Sequence, residues 1–222
     1  MNLKKRDSTR GIRLYIRNGL KCPQIDPRKV NKQGEAPSEV LSIELNLENN
    51  EKMLISTIYR SPNSKNEEDE NVNNFIRELG STPYKHLLVL GVFNRKDIKW
   101  DTVSSTSKND NEFIDAIRDA YLTQHISSPT RGRGTDEPSL VDLVFTSNEQ
   151  NVESITLDSP QGKSDHSIIK LVYRLKPKMR ADRIVCDYER ANFEKMKKIL
   201  DIDGHKYFRD CKEDIDILWK KS

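Results

Sequence analysis

Cysteine is scarce in this 222-residue chain: Cys22, Cys186 and Cys211 stand far apart. No pair has the spacing of a metal site, and an odd count argues against a disulfide framework. A reducing, intracellular setting is expected, nuclear or cytoplasmic. Long apolar runs are missing too, so no segment reaches the roughly 20 residues of a membrane-spanning helix. The opening Met-Asn-Leu-Lys-Lys-Arg-Asp leads into no apolar region, so no signal peptide and no secretion are expected. Internal repeats are absent. Net charge is only +3, too small to indicate a partner by itself.

What is present is polar: hydrophobic residues make up 34% and charged residues 33%. This implies ordered core elements separated by solvated stretches. Charge is uneven along the chain. Met1 to Lys32 holds ten Lys/Arg against two Asp, and Arg174 to Ser222 holds fourteen basic against ten acidic residues. Basic ends can contact phosphates or simply be solvated arms.

Apolar periodicity marks the elements. Strands are expected over Gly11 to Arg17, Leu41 to Leu47 and Met53 to Tyr59, the last two as a hairpin. Ser64-Lys65-Asn66-Glu67 has capping-box spacing for a helix carrying Val72, Phe75, Ile76 and Leu79, with Gly80 as its stop. A buried strand follows at His86 to Leu90. Asp110 is placed to cap a second helix with Phe113, Ile117, Ala120 and Tyr121. Further strands are expected at Leu140 to Phe145, Val152 to Leu157 and Ile168 to Tyr173. The composition shifts near Lys176. Beyond it, Asp187 can cap a helix carrying Phe193, Met196, Ile199 and Leu200, and a short helix near Ile215 to Trp219 ends the chain. Two parts are therefore expected: residues 1–175 as one α/β domain, and 176–222 as a basic linker with a helical tail. Interleaved strands and helices with hairpin neighbours imply mixed sheets covered by helices.

Three loops that follow strands gather polar residues: Tyr59-Arg60-Ser61-Pro62, Gly91-Val92-Phe93-Asn94 and Gly162-Lys163-Ser164-Asp165-His166-Ser167. Polar groups at strand ends converge on one sheet edge, where sites form. A His beside a carboxylate can act as general base or steady a phosphoryl oxygen, though alone this tripeptide is also an ordinary surface feature. An Asp can ligate Mg²⁺. Asp142 lies inside an apolar strand, where a carboxylate is costly unless paired. Pairing with His166 would satisfy it; a solvent-facing edge would do so too.

Taken in order, Ile58-Tyr59-Arg60-Ser61-Pro62, Leu88-Val89-Leu90-Gly91-Val92-Phe93-Asn94, Pro129-Thr130-Arg131, Ser139 to Phe145 and Gly162 to Ser167 resemble the endonuclease/exonuclease/phosphatase superfamily. More narrowly they resemble the endonuclease domain of LINE-type (non-LTR), jockey-like retrotransposon polyproteins. The resemblance implies a four-layer α-β-β-α sandwich of two mixed sheets flanked by helices, and DNA nicking with Mg²⁺ or Mn²⁺ that serves target-primed reverse transcription. It also implies roles. Tyr59 would contact the scissile phosphate, with Arg60 beside it. Asn94 would position the nucleophile. Thr130 would line the phosphate pocket. Asp142 would orient His166, which would stabilise transition-state charge. Asp165 would join the metal site, and Ser164 would support that loop. The tail would precede a reverse transcriptase.

Two departures from the family pattern change the expectation. The family has Gly-Asp-Phe-Asn where this chain has Gly91-Val92-Phe93-Asn94, and in the family that Asp acts on the attacking water. The family also carries a metal-binding Glu on an early strand, which this chain lacks. None of Glu35, Glu39 and Glu44 stands in the corresponding motif, so the domain is expected to be incomplete at its N-terminus. A catalytically impaired nuclease remnant is therefore expected, binding DNA, or RNA, through phosphates. The rival readings are a non-catalytic nucleic-acid-binding module and a pseudogene product without function.

Overall fold

A computed structural model describes residues 11–30, 35–132 and 137–179, with Asn192, Glu194, Lys195 and Lys198. The chain divides into two units, residues 1–181 and 182–222. Of the expected helix carrying Phe193 to Leu200 only Glu194, Lys195 and Lys198 are described, and these are helical; the rest of it, the helix near Ile215 to Trp219, Cys186 and Cys211 lie outside the described residues, as does the N-terminal basic run through Arg10.

The first unit is built on a six-stranded mixed sheet. Strands β2 (Val40–Asn46) and β3 (Lys52–Tyr59) form the expected antiparallel hairpin. Its turn holds Asn50 at φ 62°, a conformation that asparagine tolerates better than most residues. Helix α2 (Asn66–Gly80) then crosses over to β4 (His86–Val92), parallel to β3; parallel neighbours need such a crossover. Helix α3 (Lys108–Asp119) and the two-residue β5 (Thr123–Gln124) lead to β6 (Asp142–Thr146), antiparallel to β4. Short β1 (Gln24–Ile25) and helix α1 (Pro27–Val30) precede the hairpin. The strand order is β1-β2-β3-β4-β6-β5. Strands β7 (Val152–Asp158) and β8 (Ile168–Tyr173) form a separate antiparallel pair.

Alternation along the strands sorts side chains to two cores. Leu54, Ile58, Leu87, Val89, Leu143 and Phe145 meet Val72, Phe75 and Ile76 of α2 and Phe113 and Ile114 of α3. Met53, Leu88 and Val144, on the opposite face, meet Ile155, Ile169 and Leu171 of the β7–β8 pair. The layers among the described residues are thus helices, a large mixed sheet and a small second sheet, an α/β sandwich of the expected class.

Some local expectations fail, each for a physical reason. Residues 11–17 form no strand; Tyr15 is 80% exposed, and this stretch pairs with no strand despite its alternation. Lys65, not Ser64, is the α2 N-cap, and no side chain caps the helix. Asp110 lies inside α3, which begins after Ser107; its carboxylate accepts from buried Arg95 at 2.8 Å instead of capping. Gly80 is the last helical residue rather than a left-handed stop, since Ser81 beyond it has φ −90°. A Cβ on Gly80 would lie 2.6 Å from Ala120 Cα, so glycine is there to let α2 approach the end of α3.

Candidate nucleic-acid phosphate site

The ends of β3 and β4 and the start of β6 meet at one sheet edge. Tyr59 is in register with Val92, and Val92 with Asp142, so the three form a single rung. In-register neighbours share a face. Here it is the face of Leu88, Leu90 and Val144, which the second sheet covers. His166 stands just before β8 and is carried over that rung. Its Nδ1 lies 2.8 Å from Asp142 Oδ2 and 3.0 Å from Oδ1. With Nδ1 on a carboxylate, Nε2 is the other ring nitrogen, and it lies 4.0 Å from Asp165 Oδ1.

The backbone beneath this edge is tightly constrained. Gly91 has φ 149°, and a Cβ there would lie 1.8 Å from Ile58 O, so no other residue fits without moving β3. Asn94 has φ 51°, and its Nδ2 donates to Arg60 O at 2.7 Å. Arg60 N donates to Val92 O at 2.8 Å. The loop after β4 is therefore bonded to the end of β3, and none of these bonds uses the side chain at 92.

The remaining expected residues are placed as follows. Arg60 is only 8% exposed, and its guanidinium grips Asp69 through Nε and Nη2, at 2.6 and 2.9 Å, so it faces the core rather than a substrate. Thr130 is fully buried; its hydroxyl accepts from the amides of Val141 and Asp142 at 3.3 and 3.0 Å, which holds the start of β6 instead of lining a pocket. Ser164 Oγ accepts from His166 N at 3.1 Å and shapes that loop. Asp165 Oδ2 accepts from Arg131 Nε at 2.8 Å, and this ion pair holds the carboxyl below its ordinary value. Arg131 is also bridged to His166 and Ser139 through the backbone, so it ties the 130–132 segment to the His166 loop. Arg131 and Asp69 gained no role from the sequence. For Asp69 a signal exists: it stands three residues before Val72, on the buried stripe of α2.

The resemblance implies Mg²⁺, which prefers near-octahedral oxygen ligation. Asp165 is committed to Arg131, both oxygens of Asp142 face His166, and among the described residues no three His, Cys, Asp or Glu converge. This donor set does not fit the ion. Nor do the cavities of about 850 and 600 Å³, on the 24–40 side and beside Trp100, take in Tyr59, Asn94, Asp142 or His166.

The fold and this edge define a class: an α/β sandwich of the endonuclease/exonuclease/phosphatase kind, with an Asp–His pair where two sheets meet. The fold is that of the endonuclease domain of TRAS1, a telomere-specific non-LTR retrotransposon. That match has a TM-score of 0.55 at 15% identity over 72% of this chain and 71% of that one. An endonuclease/exonuclease/phosphatase family protein from Leptotrichia buccalis matches with a TM-score of 0.44 at 17% identity, over 60% of this chain and 52% of that one. The Xenopus laevis APE2 catalytic domain gives 0.42 at 11% identity, over 70% and 60%. No curated protein matches. The family model described as endonuclease-reverse transcriptase matches residues 53–170, and the chain belongs to that family.

Proposed function

We propose that this chain is a retrotransposon-type endonuclease domain that retains phosphate recognition and has lost efficient phosphodiester cleavage. One observation carries the reading: in the rung Tyr59–Val92–Asp142, with His166 bonded to Asp142, every position but 92 offers a polar group. Tyr59 and His166 Nε2 contact a DNA phosphate, and Asp142 orients the imidazole. Asn94 holds the loop that presents them. A valine can neither take a proton from an attacking water nor hold a metal that would activate one. Losing such an acid–base group costs about 10²–10⁴-fold in rate. Residues 176–222 act as a basic connector toward a reverse transcriptase, and the parent activity is target-site nicking.

The test is nicking of supercoiled plasmid in Mg²⁺ or Mn²⁺. No nicking above the buffer background is expected. Val92→Asp alone is expected to leave this unchanged, because Asp165 stays with Arg131 and the donor set for a cation stays short. Robust nicking by the unaltered chain, abolished by His166→Ala, would overturn the proposal.

A further inference from the structure

Beneath the site loop lies a chain of four buried charges: Arg60, Asp69, Arg95 and Asp110 are 8%, 4%, 3% and 7% exposed. Asp69, in the first turn of α2, accepts from Nε and Nη2 of Arg60 and lies 3.4 Å from Arg95 Nη2. Arg95 Nη1 donates to Asp110 Oδ1 at 2.8 Å and to Asn109 O at 3.1 Å, both at the start of α3. The Arg95 guanidinium also stacks 4.7 Å from the Phe113 ring centre. Burial pushes Arg95 below its ordinary value, and its two carboxylate partners oppose that push.

An ion chain this deep is poor evidence of stabilisation, since well-packed apolar residues often do as well. Its geometry says more. The one Arg60 arm not on Asp69 points at three carbonyls: Ser61 O, Phe93 O and Asn94 O, at 3.3, 3.4 and 3.3 Å. In return Asn94 Nδ2 donates to Arg60 O. The left-handed turn at Asn94 is therefore held from both sides by one arginine, and Asp69 fixes that arginine's orientation. We infer that Asp69 is a positioning residue for the phosphate site: through Arg60 it sets the conformation of the 92–95 loop and so the presentation of the Tyr59–Asp142–His166 edge. This rests on reading that edge as a phosphate site. The role is geometric; a planar fork is needed, not merely a charge.

The experiment uses the double variant Arg60→Met with Asp69→Leu, which removes both charges together and so leaves neither buried alone. Three readouts are taken: the thermal melt, the ¹H–¹⁵N resonances of residues 93–95 with the Asn94 side-chain amide, and anisotropy of a fluorescein-labelled DNA duplex in EDTA at low salt. The expected result is a cooperative melt, displaced 93–95 and Asn94 resonances, and several-fold weaker duplex binding. Should the double variant not melt cooperatively, Arg60→Lys gives the same readout, since it keeps the charge and loses the fork. A folded variant whose 93–95 and Asn94 resonances coincide with those of the unaltered chain overturns the inference. Displaced resonances with unchanged duplex affinity keep Asp69 as the anchor of the loop and overturn the phosphate reading instead.

Discussion

Valine 92 and Glu51 lie at opposite ends of the central strands, and each shows what one side chain does. The backbone at Val92 does not depend on its side chain, because the loop is held by Gly91, Asn94 and Arg60. On the proposed reading, chemistry is lost here without loss of shape. Glu51, in the β2–β3 turn, is bonded to Lys85, to His86 Nε2 at 2.8 Å and to Asn49 at 2.6 Å. These partners, Lys85 first, bring its carboxyl from 4.5 down to about 2. Between those values the folded state holds fewer protons than the unfolded chain. Ionised Glu51 therefore adds stability that is complete above pH 4.5 and lost as the pH falls through 2. The melting temperatures of the unaltered chain and of Glu51→Gln should differ most near neutrality and converge in that acid window. Other carboxylates titrate in both proteins, so the difference isolates Glu51. A gap that stays constant down to pH 2 would show that the cluster does not hold. At this scale the sequence is legible where a motif names a residue, as with Asp142 and His166. It is not legible for Arg60 and Asp69, because nothing in Tyr-Arg-Ser-Pro reveals that the arginine turns inward.

Helices α2 and α3 meet at a point where one hydrogen atom matters. Gly→Ala inside a helix ordinarily stabilises by about 0.5–1 kcal/mol. At Gly80 the added methyl would lie 2.6 Å from Ala120 Cα, a backbone atom that cannot turn aside. Overpacking of this kind costs roughly 1–3 kcal/mol. Gly80→Ala should therefore lower the melting temperature, and calorimetry showing a rise would mean that the helices stand further apart. The sequence reveals a glycine at the helix end but not which partner requires it. The same limit runs through the elements. Strand β2 is legible because Leu41, Ile43, Leu45 and Leu47 alternate with polar residues, a period of two that suits a half-buried strand and not a helix; β3 and β8 are legible as short, mostly apolar runs. Strand β4 is legible from its short apolar run, which a buried central strand requires. Residues 11–17 alternate too and form no strand, because pairing needs a neighbour that the pattern does not supply. The two-residue β1 and β5 and the four-residue α1 are too short to carry a period. The acidic first turn of α2 suits the helix dipole, and that is true of Glu67 and Glu68; the helical spacing from Asp69 to Val72, Asn73 and Ile76 marks Asp69 alone as buried.

For the molecule as a whole the governing quantity is the distribution of its charge. A net +3 attracts DNA weakly, but ten basic residues fall in the first 32. On the proposed reading, carboxylates paired with His166 and Arg131 leave few oxygens for a cation, so DNA affinity is expected to come from direct contacts and counterion release. Two consequences hold for a labelled duplex titrated by anisotropy. First, affinity should be the same in EDTA and in Mg²⁺ once ionic strength is matched; tighter binding in Mg²⁺ would mean that the donor set is more complete than its ion pairs allow. Second, log affinity should fall linearly with log salt, at about 0.9 per phosphate neutralised. Changing Lys4, Lys5, Arg6 and Arg10 together to Gln removes four such charges, so the slope should become shallower by up to about 3 to 4. If the slope is unchanged, the N-terminal run is a solvated arm and binding rests on the edge of Tyr59, Asn94 and His166. His166→Ala would then be the variant that weakens binding.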